Sequence, residues 1–268
     1  MKPILLMDSA IQRTILGRLK TGNFAEKNAL RVARNAGMRL ERFLLVEQPQ
    51  LGRKEARRIV EGRKGVIIGG SGLVHPSNDG EILGFAFSKG MVTSGMVNAS
   101  VLRVIKECCS QGVPLLGICY GHQMLGRFAG EKIAELPEYE FGFNSIKLTE
   151  KGKGDALFSG LPEEIQVPEY HSLGLVSSKS LEVLASNELC IQAMKLPGYG
   201  VYGVQFHPDF HWDFDGKGTG TLQHQYKVEK MWKVIGKRAD IEPADKIHAY
   251  GLSNIPLLNF MRSCEGQD

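Results

Sequence analysis

The stretch LLGICYGHQMLG, residues 115–126, runs an apolar strand pattern into a cysteine. Two glycines, a histidine and a glutamine follow within seven residues. It reads as a buried strand, a sharp turn at Cys119 and a helix beginning near Gly121. In open α/β sheets, reactive groups sit at the carboxyl ends of strands. A strand–nucleophile–helix turn strains the backbone and lifts the side chain above the sheet. A helix starting there points its N–H groups at the sulfur and favours the thiolate. An inert, buried cysteine fits the same pattern, so these twelve residues leave both readings open.

Working outward, residues 3–8, 40–47, 65–68 and 113–118 are short apolar runs that read as buried strands. Between them, residues 26–36, 53–61 and 99–110 carry apolar side chains at helical spacing. This alternation predicts an α/β fold with a doubly wound, mostly parallel, flavodoxin-like sheet covered on both faces. Beyond Glu138 the rhythm changes. YEFGFNSIKLTE (139–150), LEVLAS (181–186), CIQAMKL (190–196) and VYGVQFHP (201–208) are close-spaced strand patterns, so antiparallel additions are expected in the C-terminal half.

The chain has 268 residues, 43% of them hydrophobic, enough for one large α/β domain or two small ones. A net charge of +4 is too small to argue for nucleic acid as a partner. The five cysteines form no C-x-x-C pair, which suggests neither a disulfide framework nor a zinc site and fits a reducing cytoplasm. No run approaches the roughly 20 apolar residues of a membrane span, so no membrane association is expected.

Two further pieces bear on Cys119. In VYGVQFHPDF a strand delivers His207, and Asp209 follows two residues later. A cysteine nucleophile needs a base to take and return its proton, and a carboxylate to orient that base. In VIIGGSGLVHP (66–76) a strand opens into glycines whose N–H groups are suited to holding an oxyanion, although an ordinary turn has the same composition. A phosphate loop is disfavoured because no lysine and hydroxyl residue follow the glycines.

Together these pieces resemble the class I, triad-type glutamine amidotransferases. GICYGHQ is similar to that family's nucleophile motif, GVQFHP to its histidine motif and GGSG (69–72) to its oxyanion loop. YHSL (170–173) resembles its substrate-holding segment, and GDALFSGLP (154–162) and IPLLNFM (255–261) its connecting turn and last helix. The resemblance implies a catalytic triad of Cys119, His207 and Asp209, with the backbone N–H groups of Gly70 and Tyr120 as the oxyanion hole. It places Gly72, Gln123, Ser172 and Leu173 around L-glutamine. Hydrolysis through a glutamyl thioester would release ammonia for a separate synthase subunit, with no cofactor and no metal.

The middle of the chain is similar to GMP-synthase amidotransferase subunits, and YHSL to anthranilate-synthase subunits. Where the family has glutamate this chain has Asp209, one methylene shorter, so a looser contact with His207 is expected. Alternatives are a γ-glutamyl hydrolase or peptidase with the same triad, and a non-catalytic regulatory relative. The four other cysteines and His122 read as packing or surface residues. The whole chain, 1–268, reads as one such domain with an insertion at 211–252, taken as a lid, a docking surface or a plain excursion. Within that insertion a helix is expected at 221–237, after the glycine-rich stretch DFDGKGTG (213–220), which lacks the later ligands of a calcium site.

Overall fold

A computed structural model describes residues 2–8, 11–13, 19–21, 24–45, 47–86, 90–209 and 252–266. All of the proposed insertion except Leu252 lies outside the described residues, as does most of the segment 9–23 that precedes the first crossover helix. The elements in chain order are β1 (Ile4–Asp8), β2 (Ile11–Arg13), β3 (Leu19–Thr21), α1 (Phe24–Asn35), β4 (Leu40–Leu44), α2 (Arg53–Val60) and β5 (Val66–Ile68). There follow β6 (Ile82–Ala86), β7 (Gly90–Thr93), α3 (Ser94–Gln111), β8 (Leu115–Ile118), α4 (Tyr120–Phe128) and β9 (Ala134–Leu148). After α5 (Glu150–Lys153) and a short 3-10 turn come β10 (Glu164–Gly174), β11 (Glu182–Ser186), β12 (Ile191–Leu196), β13 (Val201–Val204) and α6 (Ile255–Glu265).

Nine strands form one mixed sheet in the order β10-β9-β11-β12-β13-β8-β5-β1-β4. From β13 to β4 every pairing is parallel, and from β10 to β13 every pairing is antiparallel. The parallel half is covered on both faces, as the strand composition requires. Successive residues of β1 alternate between two cores. Leu5 and Met7 pack with Ala56 and Val60 of α2, Val97 and Val101 of α3 and Met124 of α4. Ile4 and Leu6 pack on the other face with Ala29 and Val32 of α1 and Leu257, Phe260 and Met261 of α6. Burying each such side chain contributes about 1.5–3 kcal/mol.

The expected strands, and the expected helices at 26–36, 53–61 and 99–110, are present with shifted ends, while the helix expected at 221–237 lies outside the described residues. Helix α3 begins at Ser94, five residues before its expected start, with Thr93 as its cap accepting from Met96 N at 3.4 Å. Strand β9 starts five residues before the pattern expected at 139–150, and β10, which carries YHSL, is not among the expected strands. Among the described residues, no helix is long and apolar enough to cross a membrane.

Candidate active site

Strands β5, β8 and β13 are immediate neighbours, with Ile68 in register with Gly117 and Val204 with Ile118. Their carboxyl ends therefore deliver the Gly69–Gly72 loop, Cys119 and the segment leading to His207 to one place. Cys119 is the N-cap of α4 at φ 51° and ψ −102°, the one non-glycine residue of positive φ among the described residues. Such a conformation is strained and is held by its surroundings. Cys119 N donates to Val204 O at 2.8 Å, and Cys119 O accepts from Gln123 N at 3.0 Å. Two glycines permit the sharp turn. A Cβ on Gly117 would lie 2.5 Å from the Gly121 carbonyl, and one on Gly121 would run into the carbonyl oxygen of Ile68. The buried thiol thus sits at the first turn of a helix, whose N–H groups have no intrahelical acceptor.

His207 and Asp209 are both buried, and His207 Nδ1 lies 3.1 Å from Asp209 Oδ1. The shorter carboxylate therefore still reaches its imidazole. Burial works against a charged His207, but the charge of the nearby Cys119 and the hydrogen bond to Asp209 outweigh it and lift the imidazole to about 10. His207 N donates to Pro168 O at 2.9 Å, which fastens this segment to β10. Asn254, just before α6, donates to Pro208 O and holds the segment from the other side.

Gly70 lies against the pair: a Cβ there would be 2.8 Å from His207 Cε1 and 3.4 Å from Cys119 Cβ. Gly72 differs, because a Cβ there would meet nothing within 4 Å. Tyr120 opens α4 with its ring buried and its hydroxyl donating to Asn98 Oδ1 at 2.7 Å. Burial holds that phenol protonated far beyond the ordinary range. Gln123 Nε2 donates to Leu173 O at 2.8 Å and to Gln205 Oε1 at 3.3 Å. The β9–β10 register shifts between His171 and Leu173, which takes Ser172 out of the ladder. The sequence-predicted residues Cys119, Tyr120, His207, Asp209 and Gly70 thus meet at one point, and Gln123 meets Leu173.

A buried polar cluster that the sequence reading did not anticipate lies within the electrostatic reach of His207. His171 Nε2 is 2.8 Å from Glu169 Oε2 and 3.2 Å from Glu140 Oε2, and its Nδ1 is 3.1 Å from Leu173 O. Glu140 also accepts from Asn187 at 2.5 Å, Gln192 at 3.0 Å and the Cys190 thiol at 3.4 Å. Burial, reinforced by Glu140, raises the Glu169 carboxyl well above its ordinary value, against the pull of charge on His207. Burial lowers His171 to about 4. Both shifts favour a proton on Glu169, facing His171 Nε2, while Nδ1–H donates to Leu173 O. Cys190 is therefore more than a packing residue. Glu140, His171 and Cys190 also place ligand-type atoms within 4.8 Å of one another. Within that set the Cys190 thiol already donates to Glu140, and burial raises it above the ordinary thiol range. His122 is fully buried and lowered to about 3 by burial, as a packing residue should be.

The family model for glutamine amidotransferase class-I matches residues 78–219, just over half of the chain. A curated relative from Pyrococcus abyssi, a glutamine-hydrolyzing GMP synthase subunit, is 34% identical over 128 residues, covering 47% of this chain and 65% of that one. The glutamine-hydrolyzing GMP synthase of Syntrophomonas wolfei is 38% identical over 102 residues, covering 37% of this chain and 19% of that one. The chain thus spans less than two thirds of the curated relatives it matches. Among solved structures, a glutamine amidotransferase from Thermotoga maritima superposes with a TM-score of 0.65 at 16% identity over 98% of both chains. A glutamine amidotransferase from Methylobacillus flagellatus gives 0.63 at 15% identity, over 98% of this chain and 95% of that one.

Proposed function

The chain belongs to the class-I glutamine amidotransferase family, and on that premise we propose that it hydrolyses L-glutamine to glutamate and ammonia through a thioester on Cys119. The single observation that carries this reading is the convergence on Gly70 of Cys119, strained at the start of α4, and the buried His207–Asp209 pair. The Cys119 thiolate adds to the side-chain amide carbon, and the oxyanion forms against the N–H groups of Gly70 and Tyr120. His207 gives its proton to the departing nitrogen, the C–N bond breaks and ammonia leaves. A water molecule then loses its proton to His207 and attacks the thioester, releasing glutamate and the cysteine sulfur. Asp209 keeps His207 oriented throughout. The bulge at Ser172 and the Gln123–Leu173 hydrogen bond shape the backbone that would hold the amino-acid end of the substrate.

The names of the curated relatives favour a separate GMP-synthase-type partner as the receiver of ammonia, with this chain as a single amidotransferase domain that has an insertion at 211–252. The test is glutamate release from L-glutamine by the full chain, with and without such a synthase. Cys119→Ala should abolish release. Release that survives this change would refute the reading.

A further inference from the structure

The 75–81 segment, which continues the Gly69–Gly72 loop, is fastened to the start of α3 by a set of short hydrogen bonds. Ser94 Oγ accepts from His75 N at 3.2 Å, Ser94 N donates to Glu81 O at 2.9 Å and Gly95 N donates to Asp79 O at 3.0 Å. A Cβ on Gly95 would lie 2.8 Å from that Asp79 oxygen, so the contact requires glycine. Asp79 receives both ends of the Arg127 guanidinium, at 2.9 and 2.7 Å, and Arg127 also donates to Pro76 O at 2.7 Å. Arg127 belongs to α4, the helix that Cys119 caps.

Asn98 joins these two arms. It is 1% exposed, and its amide nitrogen donates to His75 O at 3.0 Å and to Asp79 Oδ1 at 2.8 Å. Its amide oxygen accepts from the Tyr120 hydroxyl at 2.7 Å. Both amide hydrogens and the oxygen are thus committed, one side to the segment leading from Gly70 and the other to the residue after the nucleophile. A buried amide with all three bonds made resists displacement, because each lost partner leaves a desolvated polar group behind.

We infer that Asn98 is a positioning residue that fixes the separation of the Gly70 and Tyr120 backbone N–H groups, through the Tyr120 hydroxyl and the 75–79 segment. This rests on the reading of those two groups as oxyanion donors in glutamine hydrolysis. The donors must be set before the charge forms, because their contribution depends on being pre-aligned. A shared amide spanning the two elements supplies that alignment from outside the reacting centre.

The test uses the full chain with Tyr120→Phe and Asn98→Ala. Three quantities are read: kcat for glutamate release, the rate of Cys119 alkylation by iodoacetamide from pH 6 to 10, and the Kd for glutamine with Cys119→Ala added. Tyr120→Phe should lower kcat about 10-fold and Asn98→Ala about 100-fold, in line with displaced rather than deleted donors. The alkylation profile, which reports on the Cys119–His207 pair, should match the wild type, and Kd should stay within about 2-fold. If Asn98→Ala fails to fold, Tyr120→Phe, which removes one hydroxyl from a buried ring, carries the test. Wild-type kcat in Tyr120→Phe would overturn the inference, as would a fall in kcat matched by equal falls in alkylation rate or affinity. A wild-type chain that is alkylated at Cys119 but releases no glutamate would instead remove the functional reading, and the inference with it.

Discussion

His207 Nδ1 and Asp209 Oδ1 lie 3.1 Å apart in a pocket where both residues are buried. The aspartate thus makes the contact that a longer side chain would otherwise be needed to make. Asp209→Ala should lower glutamate release about 10- to 100-fold through loss of imidazole orientation. Asp209→Glu should give no gain, because an added methylene at a buried, already bonded position overpacks it. Steady-state rates of the two variants decide the matter, and a faster Glu variant would show the aspartate contact to be defective.

Gly70 packs where a side chain would strike the His207 imidazole and touch Cys119. Gly70→Ala should leave the melting temperature near that of the wild type and cut turnover about 100-fold, since displacements near 1 Å cost that much at a reacting centre. Gly72 faces open space, so Gly72→Ala should be much milder. Equal effects from the two would show that the loop is not seated against His207.

The His207 imidazole, lifted to about 10 by its surroundings, stays protonated well above neutrality. Glutamate release should therefore show no descending limb below about pH 9, where an unpaired histidine near 6.5 would already be neutral. The sign for stability follows the same shift. The folded chain holds this proton more tightly than the unfolded chain, so the contribution is complete below about 6.5 and is lost as pH rises through about 10. Rate and denaturation profiles from pH 6 to 10 check both statements.

The upward shift of Glu169 favours a neutral carboxyl in its buried contact with His171, so Glu169→Gln should replace one neutral donor with another. Unfolding free energy should change by less than about 1 kcal/mol. Glu140→Ala strands the donors of Asn187, Gln192 and Cys190 and should cost about 2–4 kcal/mol. Urea titrations of the two variants compare them directly.

The convergence of Cys119, His207 and Gly70 is legible in the sequence because each follows an apolar run that stops abruptly, and such runs end on one edge of a parallel sheet. The β9–β10 hairpin is less legible. Pro137, Gly142 and Pro168 interrupt its pattern, and Pro168 is tolerated because β10 is the edge strand of the sheet. The early start of α3 escapes notice because Ser94, Gly95 and Asn98 are weak helix formers. Their hydrogen bonds to residues 75–81 supply what propensity lacks. Glu140, Glu169 and His171 are single polar residues in otherwise ordinary strands, and only the hairpin register brings them together.

The most direct measurement is intact-protein mass spectrometry after incubation with 6-diazo-5-oxo-L-norleucine, a glutamine analogue that alkylates the attacking nucleophile, followed by peptide mapping. One adduct per chain on Cys119, absent from Cys119→Ala and slowed by excess L-glutamine, is the expected result. No adduct, or an adduct on another cysteine with Cys119 untouched, would contradict the assignment of Cys119 as the nucleophile of a glutamine site.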